Sequence, residues 1–267
     1  MADALTILQK AGLQGPVDAA FVLGTGLNSL AQSITPQIEI SYKDLPGFPR
    51  PSVSGHAGRL IAGAWHGKRV LFLQGRGHFY EHGDARAMAE PLHVLSQLHC
   101  KRLILTAACG SLREDLVPAS LMLVSDHINL NGPNPLIGAR GDERFVSMID
   151  AYDPMLRKAL QQAAKHSDMS LGDGVYMWFS GPSFETPAEI RMAQRLGADA
   201  VGMSVVPEVT LARALGLRVA AIGMMTNYAA GFVGGAPSHE ETRRVGRDSA
   251  ANLHRLLDAF VRELGDD

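Results

Sequence analysis

The feature that most constrains this chain is a five-residue apolar run, Ala19–Leu23, that ends directly on Gly24-Thr25-Gly26. Five apolar residues without polar alternation fit a strand covered on both faces, which demands layers of structure on either side. Glycines straight after such a strand let the backbone turn tightly and aim its N–H groups at a ligand. Further runs with strand character lie at 37–42, 59–65, 69–74, 102–106, 121–125, 174–179, 200–203 and 218–225, so about nine strands are expected. Helical patterns fill the intervals at 3–10, 85–99, 154–166, 187–196 and 207–215, with a long final helix over 238–264. Asp3 caps the first, Pro91 is expected to kink the second, and Ser204 is a candidate cap for the helix at 207. Two helix starts carry a hydroxyl three residues before a Glu, Thr186 with Glu189 and Ser238 with Glu241, which is the spacing of a capping box.

Alternating strands and helices predict an α/β protein: a single domain over residues 1–267, with a twisted mixed central β-sheet flanked by helices. With 46% hydrophobic and 19% charged residues the chain can bury a large core. The Pro/Gly-rich stretches 46–58 and 131–141 read as long loops of the kind that carry function.

Charge and cysteine content exclude several classes. Lys plus Arg is 25 against 27 Asp plus Glu, so the broad basic footprint of a nucleic-acid or anionic-membrane binder is missing. No apolar stretch is long enough for a spanning helix and no leader pattern opens the chain, so a cytoplasmic protein is expected. Cys100 and Cys109 alone make neither a disulfide framework nor a four-thiolate metal site.

Three motifs invite other readings and each lacks a part. Gly24-Thr25-Gly26 with Asp44 has the beginning of a dinucleotide fingerprint, but Ser29 stands at the third glycine and no crossover helix is evident after it; a phosphate-cradling turn fits better. His78-Phe-Tyr-Glu-His82 has the spacing of an inverted zinc-protease motif, yet Gly75, Gly77 and Gly83 argue against the helix it needs, and no metal is expected. Ser183 and Ser204 each sit in half of a nucleophile elbow, without the second glycine.

The richer signal is Gln74-Gly-Arg-Gly-His-Phe-Tyr80, where Arg76 and His78 offer an oxyanion a charge-assisted grip at a strand end. Three more segments follow strands in the same way: Gly181-Pro-Ser-Phe-Glu-Thr-Pro, Val201-Gly-Met-Ser-Val-Val-Pro-Glu and Met225-Thr-Asn-Tyr-Ala-Ala-Gly. With the glycine loop these make five motifs in order, and from about Val22 to the final helix the chain resembles the trimeric branch of the purine nucleoside phosphorylases.

That resemblance implies phosphorolysis of purine nucleosides to free base and ribose 1-phosphate, with inorganic phosphate as substrate, no cofactor, and a homotrimer. It implies phosphate contacts from Thr25, Arg76, His78, the backbone at Ala108, and Ser204. Tyr80, Met203 and His239 would hold the ribose, His239 at the 5′-hydroxyl, with Phe145 closing a neighbouring subunit's pocket. Phe184, Glu185 and Asn227 would hold the base, with Tyr176 close by, and Glu185, Asn227 and His78 would be the catalytic groups. Asn227 favours 6-oxopurines, because an amide can turn to suit a carbonyl, whereas relatives acting on 6-aminopurines carry an aspartate. The alternatives are a methylthioadenosine or adenosine phosphorylase on the same fold, and a nucleoside-binding protein without turnover. Ala107, Gly77 and Tyr228 depart from the family's usual residues, and Tyr228 could reshape the base pocket and bring xanthosine into range.

Overall fold

The computed structural model describes residues 2–53, 56–130 and 132–265; of the loops expected at 46–58 and 131–141, Ser54, Gly55 and Asn131 lie outside the described residues. Among the described residues nine strands form one sheet: β1 (Ala19–Leu23), β2 (Thr35–Ser41), β3 (Arg59–Trp65), β4 (Lys68–Gln74), β5 (Leu103–Ser111), β6 (Leu121–Ile128), β7 (Gly172–Trp178), β8 (Ala200–Gly202) and β9 (Val219–Tyr228). Their order is β2-β3-β4-β1-β5-β8-β7-β6-β9, and β5 also pairs with β9. The extra pairing closes β5, β8, β7, β6 and β9 into a ring that leaves none of those strands as a free edge. Parallel and antiparallel pairs mix throughout, as in β1 with β4 and β6 with β9, so the sheet is mixed as expected.

β1 is buried at all five positions, which agrees with its unbroken apolar run. One apolar cluster contains Leu71, Leu92 and Val209, joining the sheet to α3 (Ala89–Gln97) and α6 (Val206–Ala214) as well as to α1 (Ala4–Lys10). A second contains Phe21, Phe72, Leu160 and Phe260, joining it to α4 (Pro154–His166) and α7 (His239–Arg262).

Local chemistry explains where the elements differ from expectation. Pro91 does not kink a long helix: α3 starts only at Ala89, so the proline sits in the first turn, where its missing N–H has no partner to lose. Gly75, Gly77 and Gly83 do not prevent a helix either, because the single turn α2 (Phe79–His82) fits between them. β5, β6 and β9 each run past their expected ends, and β5 and β9 carry strand geometry up to the site. At α5 (Pro187–Arg195), Thr186 accepts from the Glu189 N–H at 3.2 Å and the Glu189 carboxylate accepts from the Thr186 N–H at 2.7 Å, completing the box. At the head of α7 Ser238 accepts from the Glu241 N–H at 3.1 Å, which is the hydroxyl half of the expected box.

Candidate active site

The C-terminal ends of β1, β4, β5 and β9 converge on one cavity of about 290 Å³. It is lined by eleven of the thirteen residues singled out in the sequence: Thr25, Arg76, His78, Tyr80, Ala108, Phe184, Glu185, Met203, Ser204, Asn227 and His239. The other two lie elsewhere. Tyr176 is fully buried behind the lining, where its hydroxyl accepts from the Ser204 N–H at 3.2 Å, so it supports the Ser204 loop and does not face a base. Phe145 is 75% exposed beside Arg144, outside the cavity.

Arg76 is buried to 1% exposure. Its Nε donates to Glu208 at 3.0 Å and its Nη1 to the Thr106 carbonyl at 2.5 Å, whereas Nη2 is buried without a partner. A buried guanidinium nitrogen with nothing to bond is costly unless a ligand meets it, and an oxyanion fits that geometry. His78 is fixed from its other side: Nδ1 lies 3.1 Å from Glu81, which also accepts from the His78 N–H at 2.8 Å. Burial works against Glu81 ionising, but hydrogen bonds from His78 and Ser52 hold its carboxyl well below the usual range. Tyr80 stacks on His78 at 4.7 Å between ring centroids, and burial raises its phenol to about 12, so it stays neutral.

His56 stands behind this group. Its Nδ1 lies 3.1 Å from the Arg76 N–H and 3.3 Å from the Arg76 carbonyl, and Nε2 lies 3.4 Å from the Thr25 hydroxyl, so the ring ties the Arg76 backbone to the glycine loop. Burial, with the positive fields of His78 and Arg76, pushes the His56 pKa down to about 3. Gly75 makes room for it: at φ +123 it takes a backbone geometry that residues with a side chain rarely adopt, and an added Cβ would stand 2.8 Å from the His56 Cβ.

On the base side, Glu185 precedes the Thr186 cap of α5. Burial raises its pKa, and Oε1 is buried without a partner. Asn227 lies one residue beyond a bulge: Cys109 pairs with Met225 and Gly110 with Asn227, so Thr226 is the extra residue. Its amide is oriented by the Thr226 hydroxyl, which donates to Oδ1 at 2.9 Å, and by the Tyr228 carbonyl, which accepts from Nδ2 at 2.8 Å. The Tyr228 hydroxyl donates to the Glu114 carbonyl at 3.2 Å and its side chain does not line the cavity. At Gly77 an added Cβ would come within 2.8 Å of the Ala87 Cβ.

Three polar residues escaped the sequence reading: His56 and Glu81, which orient their neighbours, and Glu208, which holds Arg76. Glu81 stood inside the His78–His82 motif, and Glu208 stood in the Pro207-Glu208 pair at a helix start, where a glutamate reads as an ordinary cap partner. Ser204 is not the cap of α6; Val205 occupies that position at φ +71, a strained geometry for a β-branched residue. Among the described residues no cluster of His, Cys, Asp or Glu could hold a metal, and His78 and His82 do not form one.

The cavity at the strand ends of a mixed sheet can be compared with those of known proteins, which set its class. The family model described as the phosphorylase superfamily matches residues 18–262, and the chain belongs to that superfamily. A purine nucleoside phosphorylase 1 of Geobacillus stearothermophilus is 41% identical over 91% of this chain and 90% of its own length. A schistosome purine nucleoside phosphorylase in complex with hypoxanthine superposes with a TM-score of 0.90 at 33% identity, covering 98% of this chain and 96% of its own. The Schistosoma mansoni enzyme in complex with adenosine gives the same TM-score and identity over 99% of this chain and 96% of its own. Within the superfamily, the chain is therefore an enzyme of the purine nucleoside phosphorylase family.

Proposed function

We propose that this enzyme carries out phosphorolysis of purine nucleosides, preferring the 6-oxopurines inosine and guanosine, and releases free base and ribose 1-phosphate. The observation that supports this most directly is that two residues lining one cavity each carry a buried polar atom without a partner, Arg76 Nη2 and Glu185 Oε1. The first suits an oxyanion and the second an N–H donor, such as N1 of a 6-oxopurine.

In the reaction a phosphate oxygen forms a bond to C1′ as the bond from C1′ to the purine nitrogen breaks, and the bonding electrons leave with the base. Positive charge builds on the ribose ring and negative charge on the purine, as in other glycosyl transfers. Thr25, Arg76, His78, Ser204 and the Ala108 backbone hold the phosphate, whose own charge favours the cationic sugar. Tyr80, Met203 and His239 border the ribose, and Phe184 borders the base. Glu185 accepts the N1 hydrogen, and Asn227 donates toward N7 or O6 as charge gathers there. No step requires a metal or organic cofactor.

The working form is a cytoplasmic homotrimer in which Phe145 completes a neighbour's ribose pocket; its 75% exposure in the single chain supports that role. The solved adenosine complex of a relative keeps a 6-amino substrate as the competing reading. Base release from inosine, guanosine and adenosine, with and without phosphate, tests both points. Cleavage of the two oxopurine nucleosides only with phosphate is expected, and in Asn227→Asp the relative rate on adenosine should rise. Cleavage without phosphate would make the protein a hydrolase, and faster turnover of adenosine would reverse the base preference.

A further inference from the structure

Between β8 and α6 the chain makes an unusual turn. Val205 sits at φ +71 and ψ −52, and the Val206 N–H donates to the Ser204 carbonyl at 2.8 Å, closing a three-residue γ-turn. This turn is rare and strained, more so at a β-branched residue, and it persists only where its surroundings enforce it. Glu208 supplies that enforcement from the first turn of α6. Its Oε2 accepts from the Val205 N–H at 2.9 Å, while its Oε1 accepts from Arg76 Nε at 3.0 Å. Glu208 is 3% exposed, so neither bond competes with bulk water.

We propose that Glu208 is a positioning residue that joins the two halves of the phosphate grip, the Arg76 guanidinium and the Ser204 turn, into one rigid unit. This rests on the phosphorolytic reading of the site. With Nε on Glu208 and Nη1 on the Thr106 carbonyl, the plane of the guanidinium is fixed and Nη2 is the nitrogen left for an anion. The same carboxylate fixes the turn that presents Ser204 to the cavity. It also places a negative charge against Arg76, so an incoming dianion meets an ordered donor instead of an unbalanced cation, which suits a site that must release ribose 1-phosphate each cycle.

The bridge needs a carboxylate. Glutamine has the same shape, but its one carbonyl oxygen can accept only one of the two N–H donors, and its NH2 then faces the other donor. Glu208→Gln should therefore loosen one half of the grip.

Inorganic phosphate and, separately, hypoxanthine are titrated calorimetrically into wild type and Glu208→Gln, beside steady-state kinetics and thermal unfolding. The expected result is phosphate affinity weakened about tenfold, the scale of one misaligned charge-assisted bond, with a matching rise in KM for phosphate. Hypoxanthine affinity and KM for inosine should hold within about twofold, since the base side is untouched. If Glu208→Gln does not fold, Glu208→Asp, one methylene shorter and able to reach only one donor, is read by the same split. Unchanged phosphate affinity overturns the proposal, as does a parallel loss of phosphate and hypoxanthine binding with a fallen Tm, the mark of a purely structural residue. A wild-type protein that binds hypoxanthine but no phosphate refutes the anion site on which the proposal stands.

Discussion

At the scale of single residues, Glu185 carries the sharpest pH consequence. Burial raises its pKa, its own backbone N–H works against that rise, and Glu189 adds to it. In the proposed base contact the carboxylate form accepts the N1 hydrogen of an oxopurine, and the protonated form offers a hydrogen where an acceptor is needed. As pH falls the protonated fraction grows sooner than for an ordinary glutamate, so KM for inosine should climb on the acid side at a pH above the usual carboxylate range. Glu185→Gln should lower activity and flatten that limb, and a pH profile of KM in both proteins checks it. A wild-type profile that stays flat down to the ordinary carboxylate range would deny Glu185 this contact. The sequence displayed Glu185 and Asn227 because both sit inside motifs, but it did not display the groups that orient the ligand contacts. His56 reaches Arg76 from a separate loop, and the Thr226 bulge that turns Asn227 is a matter of register between β5 and β9.

At the scale of elements, the site hangs on the ends of strands and the heads of helices, where short-range chemistry decides geometry. The box of Thr186 and Glu189 fixes the start of α5 one residue after Glu185. Thr186→Ala should cost about 1 kcal/mol of stability, the usual cost of losing a hydroxyl cap. It should also raise KM for the nucleoside more than KM for phosphate, because the loosened residue adjoins the proposed base contact and not the proposed anion grip. Denaturant unfolding and two-substrate kinetics measure the two effects, and equal changes in both KM values would separate the cap from the base pocket. This box was legible from four residues, as was the position of α7, since capping is local in sequence. The start of α3 was not, because Pro91 is compatible both with a kink and with a first turn, and the helix begins at Ala89, which makes it the second.

For the whole molecule, the α/β class and the strand count were readable from periodicity, since buried strands leave unbroken apolar runs. The closure of β5, β8, β7, β6 and β9 into a ring was not readable, because the pairing of β5 with β9 joins segments about a hundred residues apart and neither run names its neighbours. The same limit applies beyond one chain. Phe145, Ile137 and Ile149 are 75%, 74% and 80% exposed, an arrangement that burial against another copy would explain. If the trimer is the working unit and Phe145 closes a neighbour's pocket, dissociation should remove part of each active site. Specific activity is then expected to fall on dilution in step with the loss of trimer seen by sedimentation. Phe145→Ala should raise KM for inosine several-fold, the effect of removing an aromatic wall worth about 1 kcal/mol or more, with the trimer intact. A monomer with full activity would confine the catalytic machinery to the single-chain cavity and leave the exposed apolar residues without this role.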